Sequence, residues 1–212
     1  MKVASRTGAV ISVLIAVLVS YALPDRYVFG GNRVASVATL VILIVLGLSL
    51  LSRWLRLPVR FLNWSVLIAV VLILTVNLLS LVKLIQLILY HVQEIDGHKL
   101  LASSVAIWIN NVLAFALLYW EIDGGGPDDR LNSTTWHADF AFPQPVRPQD
   151  ANPDWRPNFM DYLFVSFTTA TAFSPTDTPP LTTRARTLML IEAAASLLTI
   201  AITAARAVNI LS

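Results

Sequence analysis

The sequence predicts an all-α integral membrane protein of about five transmembrane helices plus one short re-entrant, pore-type helix and loop. Three observations predict it. Of 212 residues, 56% are hydrophobic and 13% charged, and the mean hydropathy is +0.69. A soluble domain carries roughly 25% charged residues, so this chain is too apolar to cover itself with a polar coat. Its apolar residues gather in runs close to the roughly 20 residues that a crossing helix needs. Between the last two runs lies a segment too short to cross, followed by hydroxyls and prolines.

The same composition narrows the chemistry. The net charge of +2 is spread along the chain, with no basic stripe and interleaved aromatics, so nucleic acid is not an expected partner. The absence of cysteine removes disulfides, iron–sulfur clusters, thiolate zinc sites and cysteine nucleophiles. His91, His98 and His137 have no carboxylate cluster beside them in sequence, so neither a metal site nor another cofactor is expected. Gly124–Gly126 is not followed by the Lys-Ser/Thr of a phosphate loop. No local motif sets a serine beside a base. An enzyme is not expected.

The first run is Gly8–Leu23, preceded by Lys2 and Arg6. Its end, Ser20-Tyr21-Ala22, imitates a signal-peptide cleavage site, but we read the run as a retained first span. It stops at Pro24-Asp25-Arg26. The second run, Val34–Leu51, ends in the basic, Trp-bearing hinge Ser52–Arg60. The third, Phe61–Val92, exceeds the roughly 30 Å hydrocarbon core at about 1.5 Å per residue, so it tilts or continues past the membrane. It holds Asn77, Lys83 and Gln86, and Lys83 lies far enough along to snorkel to one face. After a polar turn, Gln93–Lys99, the fourth run is Leu100–Trp120, with Asn110 and Asn111 as candidates for interhelical hydrogen bonds.

A polar loop over 121–157 follows, rich in Asp and Pro, with Trp136, Phe140, Phe142 and Trp155 available to dock it. The segment 158–183 has the pattern of a re-entrant loop. Phe159–Phe167 is apolar and short, and Thr168–Asp177 is hydroxyl-rich and carries a proline. Non-helical backbone at membrane depth persists only when buried in protein or lining a watery cavity. The final span covers 184–211, its apolar run beginning at Thr187, and Ala193, Ala194, Ala195, Ser196, Ala201, Ala204 and Ala205 give it a small face for close packing. The chain thus divides into three N-terminal transmembrane helices, 1–99, and a second part, 100–212.

That second part resembles the pore module of tetrameric potassium channels. The residues that carry the resemblance are Asp161–Thr171, the threonine-rich stretch to Asp177, Pro180-Leu181-Thr182-Thr183-Arg184-Ala185-Arg186-Thr187-Leu188, and Ile191-Glu192-Ala193. In that family a pore helix leads into Thr-Thr-Val-Gly-Tyr-Gly-Asp and an inner helix follows. Setting Asp177 on the final Asp lays Thr171-Ala172-Phe173-Ser174-Pro175-Thr176 over the filter. The five-span layout is also similar to a bacterial membrane family with a Phe-Thr-rich stretch ending in Ser-Asp or Thr-Asp. The resemblance implies a multi-pass protein of the cell membrane, surrounded by lipid, self-associating as a homotetramer and admitting a monovalent cation.

The departure from the family bears on function. A potassium filter points successive carbonyls at a dehydrated ion, and its backbone uses glycine to reach positive φ. Here Ser174 and Thr176 replace both glycines. Thr176 is β-branched, which strains positive φ. Pro175 fixes its own φ and restrains Ser174. The filter is degenerate, and a cation channel or pore of non-classical selectivity is the expected function. The alternatives are a non-conducting membrane scaffold and a lipid- or small-molecule-binding protein that has kept the pore-loop fold.

The candidate pore residues are Thr168, Thr169, Thr171, Ala172, Phe173, Ser174, Pro175, Thr176 and Asp177, with Glu192 on the inner helix. The hydroxyls either line a path or satisfy the backbone freed where a helix breaks. Asp177 either forms a ring of carboxylates at a pore mouth or pairs with Arg184 or Arg186. Glu192 is either functional or held in an interior salt bridge. Orientation stays open. Lys2, Arg6, Arg53, Arg56 and Arg60 put the N-terminus and the long loop in the cytoplasm by the positive-inside rule, whereas the resemblance puts the pore loop outside.

Overall fold

The computed structural model describes residues 7–22, 26, 29, 31, 41, 44, 59–90, 97–132, 137–143, 155–174 and 177–211. Within them the regular structure is helical, joined by turns and loop segments, with one isolated β-bridge, Phe140 to Pro180. The helices are α1 (Thr7–Ala22), α2 (Val59–Tyr90), α3 (Gly97–Ile122), α4 (Pro127–Asn132), α5 (Phe159–Ala172) and α6 (Thr183–Leu211), with a 3₁₀ turn at Asp123–Gly125. Among the described residues three stretches are long and apolar enough to cross a membrane: Val66–Ile88, Gly97–Gly125 and Thr183–Ala205. Thr7–Tyr21 is a shorter apolar helix. The expected second span, Val34–Leu51, falls outside the described residues save Val41 and Ile44.

Helix α3 is the axis of the molecule. Every residue from Asn110 to Glu121 is buried, so it is apolar all round, as a helix surrounded by others must be. Its upper half, Ala114–Trp120, packs with Ala9 and Val13 of α1, Ala69, Val70 and Leu74 of α2, Phe159, Tyr162 and Val165 of α5, and Ala185 and Met189 of α6. Its lower half contributes Leu100 and Ile107 to a second cluster with Leu81 and Leu84 of α2 and Ala195 of α6. These contacts set directions. Helices α1, α2, α5 and α6 all start at the end where α3 finishes, called here the upper end, and run against it.

Only part of the expected small face of α6 is buried: Ala195 and Ser196, with Ala185 above them, are buried, while Ala194, Ala201, Ala204 and Ala205 are exposed, as are Leu190, Leu197 and Leu198. Small side chains let two helices approach closely. Gly8 does the same for α1 and α5, since a Cβ there would lie 3.1 Å from Phe159. Asn110 and Asn111 bridge helices as expected. The Asn110 amide donates to Ser20 Oγ of α1 at 3.0 Å, and the Asn111 amide donates to Ser196 Oγ of α6 at 3.0 Å.

The end of α3 turns sharply because Gly124, Gly125 and Gly126 take φ of 57°, 86° and 109°, a region glycine enters without a Cβ clash. Arg130 of α4 then folds back. Its Nη1 donates to the carbonyls of Trp120 at 2.9 Å and Asp123 at 2.5 Å, satisfying helix-end acceptors. The loop is therefore anchored. Phe140 and Phe142 are buried in the upper cluster, and Trp155 stacks against Phe142 at 5.7 Å between centroids. Trp136 falls outside the described residues.

Candidate functional site

Helix α5 begins with a capping box. Asn158 Oδ1 accepts from the Met160 N–H at 2.8 Å, and Asp161 Oδ2 accepts from the Asn158 N–H at 2.7 Å, satisfying two orphan donors reciprocally. From there α5 runs down α3. Phe159 meets Trp120 (6.1 Å between centroids), the Ser166 hydroxyl lies 2.7 Å from the Val112 carbonyl, and Phe167 meets Trp108 (5.9 Å). Fourteen residues span about 21 Å. The helix stops about one and a half turns beyond the Phe167–Trp108 contact, at Phe173, whose φ of 54° is left-handed.

The chain is back at the upper end within ten residues. The Ala141 N–H donates to Pro179 O at 3.0 Å and the Leu181 N–H to Asp139 O at 2.7 Å. Arg184 Nη2 reaches the Ile122 carbonyl at 3.1 Å. Thr182 caps α6 by accepting from the Ala185 N–H at 3.3 Å. A short descent, a return and a full helix therefore share one flank of α3.

Two buried polar groups hold this arrangement. The upper one centres on Asp139 and Asp123. Asp139 accepts from Arg184 Nε at 2.7 Å, Arg184 Nη2 at 2.5 Å, Thr182 Oγ1 at 2.5 Å and the Gly124 N–H at 3.3 Å. Its own N–H donates to Asp123 Oδ1 at 2.6 Å, and the Tyr162 hydroxyl donates to Asp123 Oδ2 at 2.5 Å. Arg130 lies over the Tyr162 ring, 5.1 Å from its centroid, close enough for a cation–π contact. Burial alone pushes the Asp139 carboxyl up, but its bonds from Arg184 and Thr182 outweigh that and hold it below the usual carboxylate range.

The deeper group centres on Glu192, which is fully buried. Tyr119 of α3 donates to its Oε2 at 2.5 Å, and Ser166 of α5 lies within hydrogen-bond distance of Oε1. Asn111 and Ser196 form the next step down α3 and α6. A groove of about 420 Å³ opens between α3 and α6, lined by Ser104, Val105 and Trp108 on one side and Thr199, Ile200 and Thr203 on the other.

The candidate pore residues divide. The helix extends through Ala172, not Phe167, so Thr168, Thr169, Thr171 and Ala172 are helical rather than extended. Thr168 and Thr169 are buried. The Thr168 hydroxyl bonds the carbonyl of Phe164, that of Thr169 the carbonyl of Val165, and that of Thr171 the carbonyl of Phe167, as such residues do within helices. Phe173, Ser174 and Asp177 are exposed, and Pro175 and Thr176 fall outside the described residues. Arg184 is committed to Asp139, and Arg186 Nε reaches the Pro180 carbonyl at 3.4 Å. Glu192 points inward to α3 and α5 and is held by hydroxyls, not by a salt bridge.

Asp123, Asp139 and Tyr162 escape sequence reasoning. Their partners stand 16 to 45 residues away, and nothing in the local pattern distinguishes them from other residues of a polar loop. Protein-family models, curated proteins and solved structures were compared with the chain, and none matches.

Proposed function

We propose that this chain is a channel-like protein of the cell membrane, which assembles as a homotetramer around a path for cations. The path runs beside Thr168–Asp177 and the outer face of α6. The observation that carries the reading is the shortness of α5. A helix of about 21 Å is shorter than the roughly 30 Å hydrocarbon core, and the chain turns back at its foot. In a membrane, such backbone must be sheltered by protein or line water. Phe173 and Ser174 are exposed in the single chain, as they would be where neighbouring copies complete the shelter. Asp177, at the return, is in position to bias such a path towards cations.

A five-span topology is supported by directions. Phe29 N donates to Ser80 Oγ at 3.2 Å, towards the lower part of α2, while α2 begins at the upper end. Val34–Leu51 is apolar enough to cross between those two ends.

Reconstitution into liposomes with a cation-flux measurement tests the proposal. The expected result is flux above empty vesicles that falls in Asp177→Asn. Absence of flux across pH and voltage contradicts it and favours the second reading, a non-conducting scaffold with a pore-loop fold. Two observations favour that second reading: Ser174, Pro175 and Thr176 stand where glycines and tyrosine would be, and the threonine hydroxyls of α5 are tied to its own carbonyls.

A further inference from the structure

The contacts around Glu192 count protons. Three oxygen–oxygen contacts run in series: Tyr119 Oη to Glu192 Oε2, Glu192 Oε1 to Ser166 Oγ, and Ser166 Oγ to the carbonyl of Val112. Each hydrogen bond needs one proton. The two hydroxyls bring one each, and the Val112 carbonyl brings none. An ionised Glu192 leaves one of the three contacts as two oxygens facing each other with no hydrogen between them. A neutral Glu192 fills all three, with Tyr119 donating to Oε2, the acid proton on Oε1 donating to Ser166, and Ser166 donating to Val112.

The surroundings agree. A buried carboxylate needs a cation or a full set of donors. Among the described residues the side-chain contacts of the Glu192 carboxyl are the hydroxyls of Tyr119 and Ser166, both uncharged. Helix α3 presents Tyr119 and Asn111, α5 presents Ser166, and α6 itself presents Ser196. Helix α1 has no ionisable side chain between Thr7 and Ser20, and Lys83 of α2 is only partly buried, unlike the carboxyl. The nearby guanidinium groups are engaged elsewhere, Arg184 on Asp139 and Arg130 on the carbonyls at the end of α3.

We propose that Glu192 is a buried proton-binding site: a neutral carboxylic acid whose proton joins α6 to α5 through Ser166. The site is independent of whether the protein conducts. Its proton is the link that crosses from the last full helix to the short one, so it fixes how far α5 sits along α6. Glu192 is thereby a positioning residue.

Glutamine copies the hydrogen-bonding pattern of the neutral acid: in Glu192→Gln the amide donates to Ser166 and its carbonyl accepts from Tyr119, while alanine removes both contacts. The test is infrared difference spectroscopy of the full-length protein in detergent or lipid at neutral pH, together with thermal unfolding of wild type, Glu192→Gln and Glu192→Ala. The expected result is a protonated-carboxyl C=O band in the wild type that is lost in Glu192→Gln. Glu192→Gln should keep the wild-type unfolding temperature while Glu192→Ala loses it. A wild type without that band, or a Glu192→Gln variant as unstable as Glu192→Ala, overturns the assignment. If neither variant folds, Ser166→Ala serves: loss of the acceptor should shift the band, and an unshifted band overturns the proposal.

Discussion

Arg184 grips Asp139 with two guanidinium nitrogens, at 2.7 and 2.5 Å, one on each carboxylate oxygen. The pair fastens the start of the last helix to a loop residue 45 positions earlier. Through the Asp139 N–H it also reaches Asp123, and through Asp123 it reaches Tyr162 at the head of α5. The upper ends of α3, α5 and α6 are thus joined in one polar collar.

Asp139 is buried and is the shared acceptor. Asp139→Ala is expected to cost about 3 kcal/mol, the scale of losing bonds to a charged group inside a protein. Arg184→Ala should cost less, about 1 kcal/mol, because its side chain is 56% exposed and solvent screens it. Arg184→Lys should fall short of wild type, since a point charge cannot repeat the two-pronged contact. Thermal or denaturant unfolding of the purified protein checks the order.

Acid should loosen the collar in a defined direction. The folded Asp139 carboxyl titrates below its unfolded value, so its contribution is present above the unfolded value, about 3.9. It is lost as pH falls through the folded value. Stability should therefore drop below about pH 4, and part of that drop should vanish in Asp139→Asn. Unfolding temperature recorded against pH in both proteins checks this.

The turn after α3 depends on glycine. Gly125 has φ +86°, and a Cβ there would sit 2.9 Å from Asp129 Oδ2. Gly125→Val is expected to destabilise by about 1–3 kcal/mol, the scale of a side chain forced into positive φ. Gly31 also has positive φ but nothing lies within 4 Å of a Cβ there, so Gly31→Asn should be tolerated. Comparative unfolding of the two variants checks the difference.

The filter-like stretch offers a gain-of-function test. In Ser174→Gly/Pro175→Tyr/Thr176→Gly the backbone regains access to positive φ at both former glycine positions. Because the proposed wild-type path already passes cations, the expected outcome is a current in the triple variant that favours potassium more strongly than the wild-type current does. No current in either supports the scaffold reading.

Much of the helical frame was legible because apolar runs report burial or lipid directly. The runs Phe61–Val92 and Leu100–Trp120 match α2 and α3 within a few residues, and the last helix covers the expected final span. Asn110 and Asn111 were legible too, since an amide within an apolar run needs a partner. The end of α5 was not. Thr168–Thr171 looks extended by propensity, yet its hydroxyls return to helix carbonyls and the helix continues to Ala172. Nor was the fate of Arg184. Sequence proximity suggested Asp177, but the fold brings Asp139 to it from across the loop. Tyr119 and Glu192 stand 73 residues apart and meet only because α3 and α6 pack side by side.

The depth of the turn at the foot of α5 decides the account. The chain has no cysteine, so single cysteines introduced at Phe173, Leu181 and Thr183 can carry spin labels in reconstituted bilayers without background. Collisional accessibility to oxygen and to a water-soluble relaxation agent reports the depth of each label. The account predicts that position 173 lies well below positions 181 and 183, part-way into the bilayer, with both of the latter at one surface. All three labels at the same surface depth, or position 173 at the opposite face, would contradict it.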